Sequence, residues 1–146
     1  MKRRNIIFIV LFLMVTIFIF TNSAKNADSS TEQSSSFVDW AINNLSFFFK
    51  DRSTATHYVR KIAHVTEFFL QGVFLSGALF SVKYHKHFIY VLFTGLLTAC
   101  IDEYIQLFFP GRSGEVGDIF IDFSGTFIAA SIFMIWWYFI KKVGRR

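Results

Sequence analysis

Four apolar runs set the limits on what this chain can become. They cover Ile6 to Phe20, Ile62 to Val82, Phe88 to Phe109 and Ile119 to Ile140. At 1.5 Å rise per residue, about 20 helical residues cross the ~30 Å hydrocarbon core of a bilayer, and the last three runs reach that length. The first run is shorter. With Lys2, Arg3 and Arg4 before it and Ser23 and Ala24 after it, it also has the layout of a secretory signal. A retained first segment, reaching to about residue 21, gives an even number of crossings, and the reading adopted is an uncleaved anchor. Composition closes off the soluble alternative. Of 146 residues, 53% are hydrophobic and 21 are Phe, and the mean hydropathy is +0.45. A soluble domain of this size could not bury that much apolar surface. The expected fold is all-α and polytopic: one integral membrane domain over residues 1–146, with four transmembrane helices near 6–21, 62–82, 88–109 and 119–140. A short amphipathic helix is expected in the first outer loop.

The basic residues give the orientation. Lys2, Arg3, Arg4, Lys83, Lys86, Lys141, Lys142, Arg145 and Arg146 fall on one side with no acidic residue, which makes that side cytoplasmic and puts both termini inside. The net charge of +5 is explained the same way. Lys and Arg stand at the ends of apolar runs, with no basic stripe among exposed aromatics, which argues against nucleic acid as a partner. The single Cys100 rules out an internal disulfide and reads as a small buried hydrophobe. Outside the membrane, Thr21 to Ser36 is rich in Ser, Asn and Thr and predicts a flexible linker. Phe37, Ala41, Leu45 and Phe48 then recur at helical spacing, which predicts an amphipathic helix between Phe37 and Phe49. It would lie on the outer leaflet or cap the bundle. The inner turn from Lys83 to His87 places two histidines where they would be solvated or lipid-facing.

The chemistry lies in the polar residues that interrupt the apolar runs. Five of the ten acidic residues, Glu67, Asp102, Glu103, Asp118 and Asp122, lie in or at the edge of the spans. An ionisable group at membrane depth costs several kcal/mol on most scales and marks a functional site by default. Lys61, His64, Glu67 and Gln71 are spaced three, three and four, so they line one helical face. By helical rise, His64 lies about 3 Å, Glu67 about 8 Å and Gln71 about 14 Å below the outer edge. Asp102, Glu103 and Gln106 occupy the outer half of the third span, which Pro110 and Gly111 end, leaving Arg112 at the rim. Asp118 and Asp122 share a face of the fourth span one turn apart, with Gly125 placed for close helix approach. Asp118 also suits a capping role. The polar groups of three helices therefore converge in the outer third of the membrane. Interhelical hydrogen bonding and internal pairing, Lys61 with Glu67 and Arg112 with Asp118, compete with a ligand pocket as explanations. Asp102 and Glu103 are adjacent and call for a compensating charge from Lys61, Arg112 or a cation.

At these residues the chain resembles the VanZ-like membrane protein family. The matching stretches are Arg60-Lys61-Ile62-Ala63-His64 with Glu67-Phe68, Asp102-Glu103-Tyr104-Ile105-Gln106, Phe109-Pro110-Gly111-Arg112, and Gly117-Asp118 with Asp122 and Gly125. The exit from the first run, Phe20-Thr21-Asn22-Ser23, matches more weakly. The family usually carries Tyr where this chain has Phe68. The resemblance implies four spans and a link to the bacterial cell envelope, whose name-giving member is associated with resistance to the glycopeptide teicoplanin. It carries over no catalytic residue.

Two functions follow as expectations. In the first, an outward pocket with Lys61 and Arg112 at its rim holds a phospholipid or the phosphate of a lipid-linked cell-wall precursor, among membrane lipids. In the second, the carboxylates and His64 act as acid and base on a lipid-linked phosphate or sugar. A divalent cation could then be held by His64 and Glu67 at i and i+3, with Mg²⁺ or Ca²⁺ suiting the hard oxygen ligands. An ion pathway is disfavoured by the apolar inner halves of the spans.

Overall fold

A computed structural model describes residues 3–45, 47–49, 51–79 and 84–143, and among them five helices and no strand. Helix α1 is Arg3–Ser23, α2 Ala27–Asn44, α3 Arg52–Ala78, α4 Tyr84–Gln106 and α5 Val116–Val143. Three of them, α1, α4 and α5, are long and apolar enough to cross a membrane. Helix α3 is 27 residues long, but its first turns are polar. Phe80 to Lys83, which include the inner end of the expected 62–82 segment and the start of the expected inner turn, lie outside the described residues.

The bundle is inverted relative to a soluble protein. Its central apolar cluster is small: Ile19, Phe68 and Ala99, with Val15, Phe20 and Ile119 packed against them. Much of the buried remainder is polar, including Ser23, Gln71, Ser76, His87, Thr98, Asp102, Asp122 and Thr126. Large apolar side chains such as Ile17, Phe93, Phe120 and Ile132 point outward, each more than half exposed. In water such a surface would be an aggregation liability; against lipid tails it carries no penalty. Cys100 also faces outward rather than into the core as expected, because α4 turns that side away from its neighbours.

Helix α3 is central, packing on α5, α1, α2 and α4. Its contact with α5 is backbone-close. A Cβ at Gly125 would collide with the Val65 carbonyl oxygen and stand 2.8 Å from Phe69 N, so only glycine allows this approach. At the next residue, the Thr126 hydroxyl donates to the Phe68 carbonyl at 3.2 Å. Phe68 is fully buried, with its ring in the core.

Three further sequence expectations change. Residues 27–36, expected as a flexible linker, form the first half of α2. Val38 and Ala41 are the buried residues of this helix, which packs on α3, and the Ala27 N–H donates to the Pro110 carbonyl at 3.2 Å. The helix ends at Asn44, short of Phe47 and Phe48, which are exposed. His87, expected to be solvated or lipid-facing, is buried within α4. Its Nε2 lies 3.1 Å from the Ser76 carbonyl oxygen, and its ring stacks on Phe133 with centroids 4.8 Å apart. An amphipathic ring with a carbonyl to bond is accommodated between helices at less cost than a charged one would be.

Candidate functional site

The end of α1, the middle of α3, the end of α4 and the start of α5 meet at one end of the bundle. The reason is topological: successive packed helices run antiparallel, so each brings its polar turn to the same end. The turn after α4 is closed by Gly111, whose φ of +74° suits glycine, and it returns Arg112 over the helix ends.

Asp102 is wholly buried at the centre. Its Oδ1 accepts from the Ser23 hydroxyl at 2.5 Å and its Oδ2 from the Gln106 amide at 3.0 Å. The same Gln106 nitrogen donates to Glu103 Oε1 at 3.0 Å, and Glu103 Oε2 accepts the Glu115 N–H at 2.8 Å. The adjacent carboxylates therefore share one amide with two N–H groups. Neither meets Arg112 or Lys61 as an ion pair. Glu67 is bonded differently: Asn22 Nδ2 donates to its Oε1 at 3.0 Å, and its Oε2 is buried with no hydrogen-bond partner. Asp122, 2% exposed, likewise has a buried Oδ2 with no hydrogen-bond partner. An unsatisfied buried polar atom costs about 1–3 kcal/mol, so two of them at one centre call for an explanation.

His64 stands between two of these acids. Its Nδ1 lies 3.5 Å from Asp122 Oδ1 and 3.7 Å from Asp102 Oδ2, and the three side chains can offer ligand atoms within 4.8 Å of one another. Glu67 is not part of this group, so the expected pairing of His64 with Glu67 at i and i+3 is replaced by a trio drawn from three helices. One of its three ligand atoms is an imidazole nitrogen.

The cations are arranged above the acids. Lys61 pairs with Asp118, not with Glu67, joining α3 to the first turn of α5. Arg112 does not pair with Asp118. It donates through Nε to the Lys25 carbonyl at 3.2 Å, through Nη2 to the Asn22 carbonyl at 3.1 Å and through Nη1 to Gln106 Oε1 at 3.4 Å. These neutral acceptors orient the guanidinium without neutralising it. Burial, and then the charge of Arg60, lower the pKa of Arg112 from its ordinary value. Burial likewise lowers that of Arg60. Among the described residues neither arginine has an ion-pair partner within 4 Å.

Two cavities adjoin this centre. A polar cleft of about 150 Å³ is lined by His57, Arg60, Lys61, His64, Glu103, Gln106, Arg112, Asp118 and Asp122, among others. An apolar groove of about 510 Å³ runs between α2 and α3 along Phe37, Trp40, Leu45, Phe49, Val59 and Ile62. Arg60, His64 and Arg112 line both. Gln71, placed by sequence with the same set, is separate. Its amide donates to Thr16 at 2.9 Å and Thr98 at 3.2 Å, tying α1, α3 and α4 together below the cleft.

Asn22, Ser23, His57, Arg60 and Glu115 were not among the expected site residues. Asn22 and Ser23 end an apolar run, where polar residues ordinarily mark the exit from the membrane. The available signal was that the run keeps two carboxamide or hydroxyl groups at the depth of Glu67 and Asp102. No curated protein and no solved structure matches the chain. A family model described as VanZ/LLP1 does match, over residues 7–137, a stretch that takes in every residue of the cleft and groove. The chain belongs to the VanZ/LLP1 family.

Proposed function

We propose that the protein binds an amphiphile with an anionic headgroup, a phospholipid or a lipid-linked cell-wall precursor, at the outer face of the cell membrane. In this reading α1, α3, α4 and α5 all cross the bilayer, both termini are cytoplasmic, and α2 lies at the outer surface. The observation that carries it is the meeting of the polar cleft and the apolar groove at Arg60, His64 and Arg112. Two arginines without an ion-pair partner among the described residues, Arg112 held by neutral acceptors, stand beside a chain-sized apolar groove and suit a phosphate attached to a hydrocarbon chain. The chain gains little by moving from lipid into an apolar groove, so the headgroup supplies the selectivity. Altered access to, or levels of, a lipid-linked precursor would give a contribution to glycopeptide resistance, teicoplanin included.

The test is binding of a lipid phosphate and of a neutral diacylglycerol to the protein in detergent, followed by native mass spectrometry. The lipid phosphate should bind preferentially. Arg60→Gln, which leaves the Arg112 hydrogen bonds in place, should weaken it by about ten- to a hundredfold, since loss of a charge-assisted hydrogen bond costs about 1.5–3 kcal/mol. Equal binding of both lipids would overturn the reading. Sensitivity of cells to teicoplanin, with and without the protein, tests the resistance part separately.

A second reading has one specific observation in its favour. His64 between Asp102 and Asp122 is an arrangement suited to general acid–base work. An intramembrane enzyme acting on a lipid-linked phosphate or sugar would then release product from such a lipid, and His64→Gln would abolish release. Intact lipid after prolonged incubation would exclude it.

A further inference from the structure

We propose that His64, Asp102 and Asp122 bind one divalent transition-metal ion, Zn²⁺ or Mn²⁺, through His64 Nδ1, Asp102 Oδ2 and Asp122 Oδ1. The argument begins with distance. The Nδ1 atom is 3.5 Å and 3.7 Å from the two carboxylate oxygens, too long for good N–H···O bonds. Two ligand atoms each about 2.1 Å from one ion, and arranged tetrahedrally about it, lie about 3.4 Å apart. The two separations from Nδ1 thus match a coordination shell better than a hydrogen-bonded triad, and the third lies within the 4.8 Å that encloses all three atoms.

Satisfaction of polar atoms points the same way. Asp122 is buried and lines the cleft, yet its Oδ2 has no hydrogen-bond partner. An ion held by both oxygens of Asp122 would satisfy Oδ2 as well as Oδ1. Asp102 is held on its other oxygen, Oδ1, by the Ser23 hydroxyl, and Gln106 donates to Oδ2 itself. That is the kind of supporting contact that orients a ligating carboxylate. Charge balances too: two carboxylates and one divalent ion sum to zero, and a neutral assembly avoids the penalty of isolated buried charge. The imidazole nitrogen decides the class of ion. Mg²⁺ and Ca²⁺ prefer all-oxygen shells, whereas Zn²⁺ and Mn²⁺ accept nitrogen with carboxylate. His64 and Asp122 line the polar cleft, while Asp102 lies wholly buried behind them, so the cleft is the side from which an ion would complete its shell.

The claim concerns ion binding alone and stands whether or not the cleft takes a lipid headgroup. Protein purified in detergent would be stripped with chelator and reloaded separately with Zn²⁺, Mn²⁺, Mg²⁺ and Ca²⁺. Bound metal would then be counted by mass spectrometry after desalting. The expected result is about one Zn²⁺ or Mn²⁺ per chain and little Mg²⁺ or Ca²⁺. At fixed free metal, Asp122→Asn and His64→Gln should each lower occupancy tenfold or more, the scale on which even supporting contacts act. Glu67→Gln, whose carboxylate is engaged by Asn22, should change it little. The Mn²⁺-loaded wild type gives a readout independent of any variant: spin-echo modulation from one directly bound histidine nitrogen. Wild-type protein that retains no ion, occupancy unchanged in folded Asp122→Asn, or Mn²⁺ with no nitrogen modulation would each overturn the proposal. A protonated His64 resting between the two carboxylates would produce the first of these results.

Discussion

Gly125 and Gly117 stand eight residues apart on α5 and should respond in opposite ways to the same change. At Gly125 an added methyl meets the Val65 carbonyl and Phe69 N, backbone atoms that cannot rotate aside. Gly125→Ala should therefore destabilise the protein by about 1–3 kcal/mol, the usual range for overpacking. At Gly117 nothing lies within 4 Å of the added carbon. Gly117→Ala should be neutral or stabilising by up to about 1 kcal/mol through helix propensity. Thermal unfolding in detergent measures both, and similar shifts would mean that α3 and α5 are further apart than described. Ser23 offers a second residue-scale test. Its hydroxyl donates to a wholly buried carboxylate, so Ser23→Ala should cost about 1–3 kcal/mol. In combination with Asp102→Asn the two losses should be non-additive by at least about 0.5 kcal/mol. Additivity would place the two side chains out of contact.

At the scale of elements, the sequence was most informative where polarity broke an apolar pattern and least informative where composition spoke alone. Asp102, Glu103, Gln106 and Asp122 stood out because nothing else explains them within apolar runs. The Ser-rich stretch from Ala27 to Ser36 was misleading. Its composition reads as linker, but α2 is held by two long-range features that composition does not encode: Val38 and Ala41 buried in the packing on α3, and the Ala27 N–H on the Pro110 carbonyl. Gln71 was assigned to the cleft because it shares a helical face with His64. Thr16 of α1, a partner 55 residues away, claims it instead. The start of α3 carries a prediction of its own. Asp51 caps the helix by accepting the Thr54 N–H at 2.7 Å, and this bond, with the Thr54 hydroxyl, lowers its pKa from the ordinary aspartate value. A depressed folded pKa means the cap is fully effective above the unfolded aspartate pKa. It is lost as pH falls through the lower folded value. Amide protection at Thr54, corrected for intrinsic exchange, should fall in that acidic window. Asp51→Ala should lack the protection at every pH. A wild-type profile that stays flat through the window would remove Asp51 as the cap.

At the scale of the whole molecule, the proposed orientation makes a categorical prediction. A reporter fused after Arg146 should be active only if it functions in the cytoplasm, and a cysteine introduced at Ser113 in a Cys100→Ala background should react with an impermeant thiol reagent added from outside. Labelling at Ser113 from the cytoplasmic side alone would invert the topology and move the cleft to the inner face. The cleft also bears on how the protein comes into being. Asp102 is surrounded by Ser23 of α1, His64 of α3, Gln106 of α4 and Asp122 of α5, so its environment is complete only when all four helices are together. Helix α3 does not meet the requirement for a span on its own composition, and α4 carries two adjacent acids. Helices α3 and α4, the latter the least apolar of the three candidate spans, are thus the two that hold His64 and Asp102. On the proposed four-span orientation, their insertion would depend on company: α1 waiting for them, α5 arriving last. A chain halted before α5 presents Asp102 and His64 without Asp122, an exposed polar defect at membrane depth of the kind that membrane quality-control proteases can recognise. On the proposed four-span orientation, the contacts around Asp102 would thereby act during biogenesis as a proofreading step on assembly.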